Sequence, residues 1–255
     1  PAGFAAIKFT PLMYTQAQIF QRFVLCKGEE ALKKLQAAVV MQLGVGAVGG
    51  FCTEILARCG VGSFVLVDFD VVDISNVNRQ IVATTKTVGQ KKTEIMAARI
   101  KEINPEAVVH QVQEKIGGER FEQLYQQYKP DIVCDCIDSY IQKCEIIKFC
   151  TVNQIPIVAS MGAARKQNPG LIKCVKLNEI SVCPLAKRIK KQLEIQKEQE
   201  FKEARCILST EKAVDMVVDE NGVRQALPSF SVITTCFGVW VAHIAIDRLL
   251  TGAFQ

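Results

Sequence analysis

The ten residues from Met41 to Gly50, MQLGVGAVGG, decide the fold class of this chain. Gly44, Gly46 and Gly49 follow the pattern Gly-x-Gly-x-x-Gly, directly after the apolar run from Ala37 to Leu43. This pattern predicts a buried strand that leads into a phosphate-binding loop and a helix. NAD, FAD and other nucleotides can all be bound by such a loop, so the glycines alone leave the ligand open.

Strand and helix patterns alternate along the first two thirds of the chain. The segments SFVLVDFD, AVVHQVQ, DIVCDCIDS and IPIVASMG predict strands, and the stretches between them predict helices. We therefore predict an α/β fold with a Rossmann-like, doubly wound, mainly parallel sheet and an elaborated C-terminal half. We expect one domain over 1–255, with an N-terminal helical segment (1–36), a nucleotide-binding core (37–162) and substrate-side and C-terminal elements (163–255).

The composition is that of a folded protein of ordinary charge. Of 255 residues, 49% are hydrophobic and 22% are charged, which excludes disorder as the main state. The net charge of +5 is too small to mark a dedicated nucleic-acid-binding protein, but it permits a polyanionic substrate. The eleven cysteines lie mostly in apolar segments and form no Cys-x-x-Cys pair, so we predict small buried side chains and no zinc site.

Two apolar segments raise the question of targeting. Lys8, Pro11 and Gln16 interrupt the N-terminal segment, which therefore lacks the continuous apolar run of a signal peptide. The stretch from Phe230 to Ile246 is at the lower length limit for a membrane span and contains polar residues such as His243. We predict that it is a core helix, and we expect a cytoplasmic protein without a membrane span.

Acidic residues follow the predicted strands at the edge where open α/β sheets bind ligands. Asp68 lies about twenty residues beyond the glycine loop, at the distance expected of a residue that hydrogen-bonds a ribose. Asp70 and Asp138 end strands at the same edge. Each could instead cap a loop, but together with the glycines they predict a nucleotide site.

The side chains between these acids favour a triphosphate over a dinucleotide. Asn76, Arg79 and Lys92 would be unusual in the apolar slot that a nicotinamide needs. Arg79 and Lys92 can balance the charge of the β- and γ-phosphates, and an acidic residue can hold Mg²⁺. The set therefore indicates an ATP site and argues against a dehydrogenase.

Four linked motifs, GVGAVGG, LVDFDVVDISNVNRQ, VGQKK and CIDS, resemble the ThiF/MoeB/TcdA superfamily of adenylating enzymes over about residues 16 to 250. The resemblance implies that Asp68 binds the ribose, that Asn76, Arg79 and Lys92 contact the phosphates, and that Asp138 coordinates Mg²⁺. The implied nucleotide-binding residues are Gly44, Gly46, Gly49, Asp68, Asp70, Asn76, Arg79, Lys92 and Asp138. Arg79, Lys92 and Asp138 are the implied catalytic residues.

The second half resembles the tRNA threonylcarbamoyladenosine dehydratase branch, through VASMGAARKQNPG, ARCILSTEKAV and VITTCFGVWVAHIAI. The resemblance implies a homodimer that activates the threonylcarbamoyl carboxylate of a tRNA with ATP, after which the group cyclises. Two other hypotheses remain. The chain could adenylate the C-terminus of a ubiquitin-like or sulfur-carrier protein, with such a partner or a sulfur-transfer protein, or it could be a non-catalytic ATP-binding scaffold.

Two positions bear on this resemblance. Cys206 matches a cysteine of the branch, and we predict a structural role because cyclisation within one substrate needs no covalent enzyme intermediate. The family carries an N-terminal arginine that reaches the ATP of a partner subunit. Leu25 aligns with it here, and Arg22, three residues earlier, is the candidate replacement, with Lys27 also nearby.

A charged run extends from Lys187 to Arg205. Its basic residues Lys187, Arg188, Lys190 and Lys191 can meet tRNA phosphates, in a contact that weakens with salt. A solvated helix or a crossover loop explains the run equally well.

Overall fold

The computed structural model describes residues 14–180, 183–194, 202–215 and 226–254. The predictions for the first thirteen residues, and for positions 195–201 of the charged run, lie outside these ranges.

Seven strands form one sheet in the order β3-β2-β1-β4-β5-β7-β6, in which only the β6–β7 pair is antiparallel. Strands β1 to β3 follow one another outward on one side of the sheet, and β4 and β5 do so on the other, so the strand order reverses between β1 and β4. At such a point successive connections cover opposite faces of the sheet. This topology confirms the predicted Rossmann-like, mainly parallel fold. The strands are Val39–Leu43 (β1), Ser63–Val67 (β2), Val108–Val112 (β3), Ile132–Asp135 (β4), Ile157–Ser160 (β5), Ile172–Lys176 (β6) and Ala204–Ser209 (β7).

Helices cover both faces of the sheet. They are Gln16–Ile19 (α1), Gln21–Lys27 (α2), Glu29–Ala37 (α3), Gly49–Arg58 (α4), Lys92–Ile103 (α5), Gly118–Tyr128 (α6), Tyr140–Val152 (α7), Pro184–Gln192 (α8) and Ser231–Thr251 (α9). Short 3-10 turns occur at Ile74–Asn76, Pro169–Leu171 and Leu177–Glu179. One hydrophobic core lies between the sheet and α4, α5 and α9, and a second lies under α6, α7 and α8.

Neighbouring strand residues contribute to opposite cores. Val40 packs under α4 and α9, whereas Met41 packs on the other face, and both are fully buried. A strand covered on both sides needs a continuous apolar run, because successive side chains point to opposite faces. This explains why the strands near the middle of the sheet were evident in the sequence.

Helix α9 confirms the prediction of a core helix. In the described part of the chain it is the one helix long and apolar enough to cross a membrane. It packs instead on α4 and the sheet, and it buries Ile233, Phe237 and Val241. A Cβ atom on Gly238 would lie 2.5 Å from the Val48 carbonyl oxygen, so the two helix backbones approach closely at this glycine.

The chain beyond residue 162 adds β6, α8 and β7 before α9. Strand β7 pairs with β5 and separates it from the edge strand β6. The interpretation of Lys187 to Arg205 as one solvated helix or loop is wrong at its C-terminal end. Ala204 and Arg205 begin β7 and are buried, because this strand is inserted between two others.

Candidate functional site

A cleft of about 680 Å³ opens where β1, β2, β4 and β5 end. Its volume is in the range of small-molecule sites, and its position is the edge where open α/β sheets bind ligands. Seven of the predicted site residues line it, namely Gly44, Gly46, Asp68, Asp70, Arg79, Lys92 and Asp138.

The three glycines of the loop have different structural roles. Gly44 has a φ of +79°, and its amide donates to the Val67 carbonyl at 2.8 Å, so it makes the tight turn out of β1. Gly49 starts α4, and a Cβ there would lie 1.9 Å from the Gly44 carbonyl oxygen. At Gly46 the nearest atom to a Cβ is 3.8 Å away, in the Gln80 side chain. Gly46 therefore leaves the space in which a phosphate can approach the backbone.

Asp68 ties the loop to the end of β2. Its Oδ2 accepts a hydrogen bond from the Val45 amide at 2.7 Å, and its Oδ1 accepts one from the Asp70 amide at 2.8 Å. Burial raises the pKa of the Asp68 carboxyl, while these hydrogen bonds and the Lys92 cation oppose the rise. The carboxylate is thus fixed at the cleft by two backbone donors.

Lys92 and Asp70 form an ion pair in the wall of the cleft. Lys92 begins α5 and is 4% exposed, and its Nζ lies 2.7 Å from Asp70 Oδ2. The neighbouring Lys91 is exposed and pairs with Glu94. Of the two adjacent lysines, only Lys92 therefore points its cation into the cleft.

Arg79 and Asn76 come from the loop between β2 and α5. The Arg79 Nη1 donates to the Ser75 carbonyl at 2.8 Å and to Asn78 Oδ1 at 2.9 Å, and the side chain lines the cleft. Asn76 is buried, and its Oδ1 accepts from the Asp73 amide at 3.2 Å. Asn76 is not among the residues that line the cleft, so the structure shows it holding the loop that carries Arg79.

Asp138 lies on the turn after β4 and lines the cleft. It is exposed, and no hydrogen bond or ion pair joins its carboxylate to the described residues. The nearby Cys136 carbonyl contacts Gly44, where an added Cβ would lie 3.0 Å from its oxygen. The turn that carries Asp138 is therefore packed against the glycine loop.

Sequence reasoning missed other parts of the wall. Residues 160–164, at the end of β5 and just beyond it, line the cleft, as do Leu227, which precedes α9, and Thr234, in the first turn of α9. The position of residues 160–164 after a predicted strand was a usable signal, because the carboxyl ends of parallel strands share one edge. Gln80 was also missed, and its buried Oε1 has no hydrogen-bond partner among the described residues.

Neither Cys206 nor Arg22 is among the described residues that line the cleft. Cys206 is 1% exposed in β7, and burial raises the pKa of its thiol. A buried thiol of raised pKa is a poor nucleophile, in agreement with the predicted structural role. Arg22 is exposed on α2 and is not among the described residues that line the cleft of its own chain.

Positive charge is concentrated in residues 165–194, which contain eight Lys and Arg against two Glu. Since the whole chain has a net charge of +5, the remainder has no positive excess. Lys190 is half-buried and donates to the Asn178 carbonyl at 2.7 Å. The exposed cations of α8 are Lys187, Arg188 and Lys191, and none of them pairs with a carboxylate of the described residues.

This basic face of α8 adjoins the cleft. The Arg188 guanidinium stacks 4.3 Å from the centre of the Tyr140 ring, and Tyr140 is two residues beyond Asp138. Leu185, in the first turn of α8, lines the cleft itself. A polyanion bound along α8 would therefore extend to the cleft.

Comparisons with known proteins agree with this geometry. The model of the ThiF family matches residues 17–252. The chain is 40% identical over 195 residues to the tRNA threonylcarbamoyladenosine dehydratase of Bacillus subtilis (strain 168). The aligned region covers 76% of this chain and 76% of the relative. It is 29% identical over 235 residues to the enzyme of that name from Haemophilus influenzae, covering 87% of this chain and 89% of the relative. The solved structure of E. coli tRNA N6-threonylcarbamoyladenosine dehydratase in complex with ATP superposes with a TM-score of 0.84 at 30% identity, covering 92% of this chain and 95% of that one.

Proposed function

Because this chain belongs to the ThiF family, we propose that it is an ATP-dependent adenylating enzyme whose substrate is the threonylcarbamoyl group of a modified tRNA adenosine. The observation that carries the proposal is the cleft, where the glycine loop, Asp68, two cationic side chains and Asp138 surround one cavity. The names of the relatives and the ATP complex of a similar structure support the choice of nucleotide and substrate.

The residues account for the first step as follows. A carboxylate oxygen of the substrate attacks the α-phosphorus of ATP, the bond from that phosphorus to the bridging oxygen breaks, and pyrophosphate leaves. Negative charge grows on the leaving group, and Arg79 and Lys92 are placed on the cleft wall to stabilise it. Asp68, held by two amides, receives the ribose hydroxyls.

The cleft also suits Mg²⁺. The Asp138 carboxylate faces the cleft and has no partner among the described residues. Mg²⁺ is commonly held by one or two carboxylates together with substrate phosphates and water, so Asp138 suits such a site. Asp138 would hold the ion, which when bound neutralises phosphate charge.

The second step takes place within the substrate. A nucleophile of the same threonylcarbamoyl group attacks the activated carbonyl, the ring closes and AMP leaves, so no enzyme nucleophile is needed. This agrees with the burial of Cys206. The basic face of α8, next to the cleft, is suited to tRNA phosphates.

The decisive experiment incubates threonylcarbamoyl-modified tRNA with the protein and measures the nucleosides by mass spectrometry, with and without ATP and Mg²⁺. We expect a product lighter by one water that requires ATP and is lost in Asp138→Ala. An unchanged nucleoside, together with intact ATP binding, would contradict the tRNA proposal and favour a protein carboxylate or an inactive scaffold.

We further propose a homodimer in the cytoplasm. Exposed apolar side chains are available for a subunit contact, among them Phe69, Val71, Ile74, Val232 and Val239. In such a dimer, Arg22 of one subunit would serve the ATP of the other. The dimer is tested by the molecular mass of the purified protein in analytical sedimentation. A sulfur-transfer or ubiquitin-like protein partner would belong to the alternative function, the adenylation of a protein C-terminus.

A further inference from the structure

A buried ion pair lies at the end of β4, and the proposed chemistry does not use it. Asp135 is the last residue of this strand, and Lys143 belongs to the first turns of α7. The Lys143 Nζ is 2.7 Å from Asp135 Oδ2 and 3.3 Å from the Asp135 carbonyl oxygen. Both side chains are fully buried. The pair therefore closes the chain between β4 and α7 into a loop.

The same two residues hold the turn formed by residues 136–139. Asp135 Oδ1 accepts a hydrogen bond from the Ile137 amide at 3.1 Å, and the Lys143 amide donates to the Ser139 carbonyl at 3.0 Å. Asp138 lies between these two anchor points. Since its carboxylate has no partner in the described part of the chain, its direction is set by the backbone of this turn.

Stability is a weak explanation for the pair. The desolvation of two buried charges largely offsets their attraction, and well-packed apolar residues of similar volume often stabilise a protein as much or more. Apolar side chains, however, cannot accept the Ile137 hydrogen bond or bind the Asp135 carbonyl. The specific effect of this pair is thus on the conformation of the turn.

We propose that Asp135 and Lys143 are positioning residues, which fix the turn at residues 136–139 and thereby aim Asp138 into the cleft for adenylation. The inference rests on the proposed function in one respect, that Asp138 acts in the reaction. Neither residue of the pair lines the cleft, so their effect on the reaction passes through the turn.

The kinetic test uses the double variant Asp135→Asn/Lys143→Met, which removes both charges and keeps an acceptor for Ile137. We expect kcat to fall by about tenfold or more while KM for ATP changes less than about threefold, because misplacement of a reacting group by ~1 Å can lower a rate about 100-fold. In an Asp138→Ala background, the same two substitutions should lower the residual rate by less than about twofold, because coupled groups are not additive. If the double substitution lowers the rate by the same factor in the Asp138→Ala background as in the wild type, the proposal is overturned.

A second measurement does not depend on activity. Hydrogen–deuterium exchange of the peptide that contains residues 136–142 should be faster in the double variant, while peptides of β1 and β2 exchange as in the wild type. Unchanged protection of this turn would also overturn the inference. The control is Glu54→Gln/Arg99→Met, which removes another ion pair, between the buried Glu54 of α4 and the partly exposed Arg99 of α5. It should leave both kcat and exchange of the turn unchanged.

Two outcomes need separate interpretation. A wild-type chain that binds ATP but yields no cyclised nucleoside would contradict the proposed function, whereas exchange would still decide whether the pair fixes the turn. If the double variant does not fold, Asp135→Leu/Lys143→Met replaces it, because two apolar side chains leave no buried charge unpaired and remove the Ile137 acceptor as well. Normal kcat in that folded variant would overturn the proposal.

Discussion

Lys92 is one of two adjacent lysines, and only its cation reaches the cleft. It is 4% exposed and paired with Asp70, whereas Lys91 is exposed and paired with Glu94. We predict that Lys92→Ala lowers kcat for AMP release by a factor of roughly 100 to 1,000, as expected when a charge-stabilising group is removed. Lys91→Ala should stay within about twofold of the wild type, because an exposed pair contributes little. Initial rates at saturating ATP and tRNA measure both, and equal rates in the two variants would contradict the assigned role of Lys92.

The glycines of the loop allow a prediction that separates binding from folding. In Gly46→Ala the added Cβ lies no closer than 3.8 Å to other atoms, so this variant should unfold at the wild-type temperature. It should nevertheless bind ATP at least about tenfold more weakly, because the methyl group occupies the space in which a phosphate approaches the backbone. Gly49→Ala places its Cβ 1.9 Å from the Gly44 carbonyl and should be destabilised by about 1–3 kcal/mol. Calorimetric titration with ATP and thermal unfolding distinguish the two. A stable Gly49→Ala variant would mean that the loop relaxes without cost.

At the level of helices and strands, the sequence predicted what local periodicity encodes. Strands β1, β2, β4 and β5 were evident because they are covered on both faces and are mostly apolar, and the acids after β2 and β4 located the cleft. Strand β7 was missed because its place between β5 and β6 depends on pairing between distant segments. The ion pair of Asp135 and Lys143 was missed for a similar reason, since a lysine in a helix usually indicates a solvated position.

The contact between α9 and α4 gives a prediction about elements. Gly238→Ala should lower the free energy of unfolding by about 1–3 kcal/mol, because its Cβ would lie 2.5 Å from the Val48 carbonyl and would push the two helices apart. Val239→Ala, on the exposed side of the same helix, should change stability by about 0.5 kcal/mol or less in the monomer. Urea denaturation of both variants provides the comparison. If Gly238→Ala were the milder of the two, the close packing of α9 on α4 would not contribute to stability.

At the scale of the whole molecule, the distribution of charge matters more than its sum. A net charge of +5 would be unremarkable if it were spread evenly, but residues 165–194 carry the entire excess, and the exposed cations of α8 adjoin the cleft. An electrostatic contact with tRNA at this segment would release counterions, so binding should weaken as salt increases.

The triple variant Lys187→Ala/Arg188→Ala/Lys191→Ala removes the exposed cations of α8 and tests this placement. We expect weaker tRNA binding. A plot of the logarithm of the association constant against the logarithm of the salt concentration should have a slope that is shallower by up to about three, since each lost phosphate contact removes nearly one unit. ATP affinity should be unchanged, because none of the three residues lines the cleft. The control Lys86→Ala/Lys101→Ala/Lys148→Ala removes the same charge from exposed positions elsewhere and should preserve the wild-type slope. If both triple variants reduce the slope equally, tRNA responds to the net charge of the protein and not to the surface beside the cleft.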